Sequence, residues 1–388
     1  MIIDLTTLLS DKFIPKKVVG EPKISRLLAK GENFGSEMLK VDFVLEDEQG
    51  KREEMYAVAK ILPESELFRN IFNVQVTYTN EMAFYEVIVP TLQQFQRSLG
   101  ITEIIDCFPK CYATRKNILG NSDTITNDAV IILENLHVLG FRNWDKRAGL
   151  DLDTTKLILR DLALLHGVSL ALKIKDPNTF EEKIKRYCVP YTPSHHDIIP
   201  ILKLIIEENK DLAHLSEKYV GWGLSPLSPI NEPFACLTHT DLWTNNTMQK
   251  LVDGKATLNK LVDFQVYQYG SPATDIFFFL WSSVKQEVLE GKLDYLLEYY
   301  HGALLEVLQK HHCNVDRFPF QTFLDEMQSV SKYEFGHAFM FHNLIVNVKE
   351  GGYDLEKSDV NSIYQDVPLN VKEKSWFMLR ECVKRGWY

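Results

Sequence analysis

No lysine or arginine run in the 388 residues is long enough to form an electrostatic footprint for phosphate backbones, and acidic residues outnumber basic ones, 53 against 43. Nucleic acid is therefore excluded as an expected partner. Cysteine is scarce as well: six residues lie far apart except for Cys107 and Cys111, and no C-x-x-C occurs. With His195-His196 and His311-His312 also lacking zinc-site spacing, no zinc centre or disulfide framework is predicted. Long apolar runs are missing too. The most apolar one, "IFFFLWSSV" at 276–284, is too short to span a bilayer and reads as a buried element. "MIIDLTTLLSDKF" lacks the basic n-region and longer apolar core of a signal peptide, so reduced thiols and a cytoplasmic location are expected. There is no internal repeat, low-complexity segment or long linker.

What is present is globular: 45% hydrophobic and 25% charged residues in a chain long enough for two lobes. "ISRLLAKGENFGSEMLKVDFVLEDEQGKREEMYAVAKIL" reads as three strands, with a Gly-containing loop at 31–36 and a turn around Asp47 to Gly50. A helix is predicted from about Ser65 to Leu99, with Pro90 interrupting it, and an apolar strand within 127–136. Helical patterns then dominate, at 152–172, 198–217, 284–311, 320–348 and 370–385. The one later strand signal is a hairpin turning at Asp253-Gly254, between "TMQKLV" and "ATLNKLVDF". The expected fold class is α+β, with a small β-rich lobe (1–136) and a larger helical lobe (137–388).

One span concentrates costly polar groups. In "HTDLWTNN", His239, Asp241 and Asn246 follow a His-x-Asp-x4-Asn spacing, and Asp263 opens "DFQ" after the hairpin. That spacing suits phosphoryl transfer, which needs a carboxylate beside the attacking hydroxyl and oxygen ligands for Mg²⁺. Asp241 would be the base, with Asn246 and Asp263 as metal ligands, although Asp and Asn are also common in turns. Lys60, ending the strand "AVAKIL", could reach the α/β-phosphates of ATP; its apolar flanks argue that an inward ammonium needs a partner. Glu81 on the following helix is the natural one, and Glu86 competes. Gly31, Gly35 and Ser36 in "GENFGS" lie between strands, where glycine lets backbone N–H groups approach phosphates; a plain turn would look the same. Glu134 and Asn135 in "ILENL" would give backbone contacts to adenine, or simply end a strand.

These stretches, together with "LRDLALLHGVSLAL" and "LVDFQVYQYGSPATDIFFFL", resemble the ecdysteroid kinase-like (CHK-like) family of insects, relatives of choline kinases and aminoglycoside phosphotransferases. The resemblance implies a two-lobed protein-kinase-like fold, ATP with Mg²⁺, and phosphorylation of a small-molecule hydroxyl such as that of an ecdysteroid, sterol or xenobiotic. It gives Lys60 and Glu81 the phosphate-gripping ion pair, Asp241 the base, and Asn246 and Asp263 the metal sites. Thr240 departs from the pattern, standing where many relatives carry Gly. His239 and His166 read as structural, and Asp275 could cap a helix or tether the catalytic loop. Phe335, Phe339 and His342 share a helix face that could wall an acceptor pocket or belong to the core. Two other readings stand beside this one: a non-catalytic binding module and a choline- or ethanolamine-type kinase. An ordinary protein kinase is disfavoured, because no "APE"-like segment follows "DFQ".

Overall fold

The computed structural model describes residues 2, 4–27, 36–120, 122–191, 199–220, 230–346 and 364–387. They divide into two compact units that interleave along the chain: the first holds Met1–Pro90, Phe108–Arg142 and Asp263–Gln265, the second Thr91–Cys107, Asn143–Val262 and Val266–Tyr388.

In the first unit, α1 (Leu5–Lys12) precedes a five-stranded antiparallel sheet of β1 (Lys17–Arg26), β2 (Glu37–Glu46), β3 (Arg52–Ile61), β4 (Cys111–Arg115) and β5 (Val130–Glu134), in the order β1-β2-β3-β5-β4. The two-residue period of the strands sorts their side chains. Val41, Phe43, Leu45, Ala57, Ala59, Val130 and Ile132 form one core with Leu5 and Leu9 of α1. Lys60, next in register after Ala59, consequently falls on the other face. Helices α2 (Glu66–Ile71) and α3 (Val74–Ala83) follow β3, and α3 continues through a π turn (Phe84–Ile88) into α4 (Val89–Ser98). Pro90 thus does not interrupt the helix as expected. It lacks the N–H that would bond four residues back, and the wider π turn directly ahead of it absorbs that loss. A short strand, β6 (Phe141–Arg142), ends the unit's second stretch of chain.

The second unit is mainly helical: α5 (Leu152–Lys175), α6 (Pro177–Lys183), α7 (Ile199–Glu208), α8 (Ser216–Val220), α9 (Pro272–Ser283), α10 (Gln286–Lys310), α11 (Phe320–Phe341) and α12 (Leu369–Arg385). α5 packs on α10 and α9 on α11. A Cβ on Gly167 of α5 would stand 2.6 Å from Val307 of α10, so only glycine permits this approach. Residues 276–283 of the apolar run lie in α9, every residue of which is buried. No helix among the described residues is long and apolar enough to cross a membrane. Four short strands complete the unit: β7 (Cys236–Thr238) pairs with β10 (Gln268–Gly270), and β8 (Thr247–Val252) with β9 (Lys255–Leu261). Asp253 and Gly254 join the latter pair with φ of +51° and +76°, the doubly left-handed turn the sequence called for.

Candidate active site

The loop after β7 is held by hydrogen bonds that begin at a buried carboxylate. Asp275 of α9 accepts the His239 N–H on Oδ2 at 2.6 Å and the Thr240 N–H on Oδ1 at 2.7 Å, and His166 Nε2 donates to Oδ2 at 2.9 Å. Ser271, not Asp275, caps α9. Asp275 is therefore the tether of the loop. Burial works to raise its carboxyl pKa, but the hydrogen bond and charge of His166, with His239 beside it, hold it below the ordinary carboxylate value. His239 is buried; its Nε2 donates to the Val262 carbonyl at 3.0 Å, and its Nδ1 accepts the Asp241 N–H at 3.4 Å. Both ring nitrogens are thus engaged with backbone groups, a holding role rather than a proton-transfer one. Asn246 closes the loop, its Nδ2 donating to the Asp241 carbonyl at 2.8 Å and to Asp241 Oδ2 at 3.1 Å. That orientation leaves the Asn246 amide oxygen without a hydrogen bond among the described residues.

Asp275→Asn is expected to lower stability by about 2–3 kcal/mol, because hydrogen bonds to a charged acceptor are worth roughly 1.5–3 kcal/mol each and an amide nitrogen would face an N–H. The sign of its pH dependence follows from the depressed pKa. The stabilisation is present above the unfolded carboxylate pKa and is lost as pH falls through the folded one. Thermal melts between neutral and acid pH should show wild type losing more stability than the variant, and parallel curves would contradict the assignment.

The second group lies in the first unit. Lys60 Nζ donates to Glu81 Oε2 at 2.5 Å and to Asp263 Oδ1 at 2.6 Å. The Lys60 and Glu81 side chains are 4% and 1% exposed, that of Asp263 22%. Burial alone would lower the Lys60 pKa, but the two carboxylates outweigh it and keep the ammonium charged. Burial, with the charge of Asp263 added, pushes Glu81 above its ordinary value against the pull of Lys60. Two carboxylates share one ammonium, so the trio carries a surplus negative charge when both are ionised. Asp263 Oδ2 has no hydrogen bond among the described residues. It is a hard donor of the kind Mg²⁺ takes. Asp263 adopts φ +68°, a strained conformation for a non-glycine residue, and Phe264 holds it there by stacking on Phe84 at 3.7 Å between ring centroids and meeting Phe108 edge-on at 5.2 Å.

A family model described as the ecdysteroid kinase-like family matches residues 30–313, well over half of the chain. The chain belongs to the ecdysteroid kinase-like family. Membership makes it a kinase-like phosphotransferase. Among solved structures, it is similar to a Ralstonia eutropha JMP134 protein assigned as an aminoglycoside phosphotransferase (9% identity, 94% of each chain covered, TM-score 0.46) and to the GDP complex of an aminoglycoside 2'-phosphotransferase-IIIa mutant (14% identity, 100% of this chain and 99% of the other, TM-score 0.43). No curated protein matches it.

The remaining candidates of this ecdysteroid kinase-like protein fare differently. Gly31 and Gly35 lie outside the described residues. Ser36 is buried, with its Oγ 3.9 Å from Met38 Sδ. Glu86, the competitor of Glu81, accepts the Thr114 hydroxyl at 2.5 Å, while Lys60 bonds to Glu81 and Asp263. The N–H groups of Glu134 and Asn135 donate to the Lys110 and Tyr56 carbonyls at 2.8 and 3.1 Å, so both are taken by the sheet. Thr240 has φ +64°, which explains why glycine suits this position; its hydroxyl, donating to the Val266 carbonyl at 2.5 Å, offsets part of the strain. Phe335, Phe339 and His342 are all buried, and Phe335 packs on Tyr219 and Phe339. Sequence reasoning missed His337 and Tyr191, both within electrostatic reach of Asp241.

Proposed function

We propose that this protein transfers the γ-phosphoryl group of ATP, with Mg²⁺, to a hydroxyl of a small, apolar metabolite such as an ecdysteroid or a xenobiotic alcohol. The observation that carries this reading is the buried Lys60 ammonium held between Glu81 and Asp263: a fixed cation suits anionic phosphates, and the surplus carboxylate charge suits a divalent ion. Bound Mg²⁺ would neutralise charge developing on the phosphates, with Asp263 and Asn246 each offering it an oxygen. Lys60 grips the nucleotide phosphates and Glu81 fixes its direction. Asp241 orients the acceptor hydroxyl and takes its proton as the oxygen bonds to phosphorus and ADP leaves.

Transfer of label from γ-labelled ATP to a panel of ecdysteroids, sterols, plant glycosides, choline and ethanolamine tests the acceptor class. Turnover of choline far above that of the sterols would refute an apolar acceptor. Asp263→Ala is expected to weaken Mg²⁺-dependent ATP binding by roughly 2–5 kcal/mol, the range for truncating one partner of a buried charge pair. Calorimetry with and without Mg²⁺ reads this directly, and an undiminished affinity would remove Asp263 from the metal site.

A further inference from the structure

Beside the Asp241 loop stands a partly exposed aromatic cluster drawn from three elements. His337 of α11 stacks on Phe278 of α9, with ring centroids 4.2 Å apart and planes within 7°. Phe341, one turn along α11, meets Phe278 edge-on at 5.0 Å and Trp243 of the loop at 4.8 Å. Lys146 Nζ lies 5.6 Å from the centre of the Trp243 ring. Phe278 is fully buried, whereas the His337 side chain stays 35% exposed. Glu334 Oε2 lies 3.2 Å from His337 Nδ1, a contact that directs that N–H inward and leaves Nε2 without a hydrogen bond among the described residues. A buried ring under a half-open imidazole with one unused nitrogen is a shape for gripping a ligand, and more than core packing requires.

Resting on the phosphotransfer reading above, we infer that His337 is an acceptor-positioning residue. Its ring and those of Phe341 and Trp243 take the apolar body of the acceptor, and Nε2 hydrogen-bonds an acceptor oxygen. Glu334 sets the imidazole tautomer. The face of α11 that serves the acceptor is then the one carrying His337 and Phe341, not the buried Phe335–Phe339 stripe.

The test is steady-state transfer of labelled γ-phosphate to the best acceptor of the panel by wild type, His337→Ala and His337→Gln, with Asp241→Asn as background. In His337→Ala the acceptor KM should rise at least about tenfold, the loss expected for one hydrogen bond with its ring contact, while the KM for ATP stays level. His337→Gln, which keeps a polar group, should recover part of the loss. An unchanged acceptor KM in both variants overturns the inference and leaves phosphotransfer standing, as does a rise in both KM values together, which marks general damage to the fold. No Asp241-dependent transfer by wild type to any acceptor would overturn the phosphotransfer reading and this inference with it.

Discussion

Asp241→Ala is expected to lower kcat by about 10²–10⁴-fold, the contribution typical of a positioned general base, while ATP binding survives. The separation follows from how the loop is held. Removing the carboxylate costs Asn246 only its 3.1 Å contact to Oδ2; its stronger hydrogen bond, at 2.8 Å, goes to the backbone carbonyl of residue 241 and is kept. Asp275 still fixes the N–H groups of His239 and Thr240. The loop therefore stays in place without its proton acceptor. The hydrogen bonds of Lys60 to Glu81 and Asp263 do not involve the residue replaced, so nucleotide affinity has no reason to fall. Single-turnover transfer and nucleotide calorimetry on the same preparation decide the matter, and loss of nucleotide binding would show Asp241 to be misassigned.

The chemistry-bearing residues were easier to nominate from sequence than to orient. Family and fold class were legible, because strand alternation, the Asp253-Gly254 turn and the His-x-Asp-x4-Asn spacing are local and periodic signals. Glu81 was preferred as the partner of Lys60, but Glu86 could not be excluded, since both lie on one helical run. At 3.6 residues per turn, five residues rotate a side chain by about 140°, and only the sheet behind the helix decides which of the two faces Lys60. Which face of α11 meets the Asp241 loop eluded the sequence for a related reason. Phe335 and Phe339 share a face, as do His337 and Phe341, and periodicity alone cannot tell which pair abuts the loop. Strand β4 was missed because its five residues alternate weakly, with only Ala113 buried. The sequence left Asp275 open between helix cap and loop tether, and what decides it is a contact 35 residues away in sequence, where no local pattern can point.

Lys60→Met is expected to destabilise the first unit by about 3–5 kcal/mol, because removing one partner of a buried ion pair leaves an uncompensated charge. The pH dependence should identify the cause. Glu81 already titrates above its ordinary range through burial and the charge of Asp263, with Lys60 pulling the other way. Without the ammonium its folded pKa rises further. A carboxyl whose folded pKa exceeds its unfolded one binds an extra proton in the native state, so stability is retained at low pH and lost as pH rises through the folded value. Melts of Lys60→Met should therefore fall more steeply than wild type from pH 5 toward pH 8. Adding Glu81→Leu separates structure from function. Replacing a buried pair with apolar groups of similar size is often neutral or stabilising, so the double variant should regain most of the lost stability and flatten the pH response. It should nevertheless bind ATP poorly, since the Lys60 ammonium that meets the phosphates is gone. Recovery of both stability and nucleotide binding would mean that the trio serves the fold alone. Recovery of stability alone would show that Lys60 is kept in place for the nucleotide.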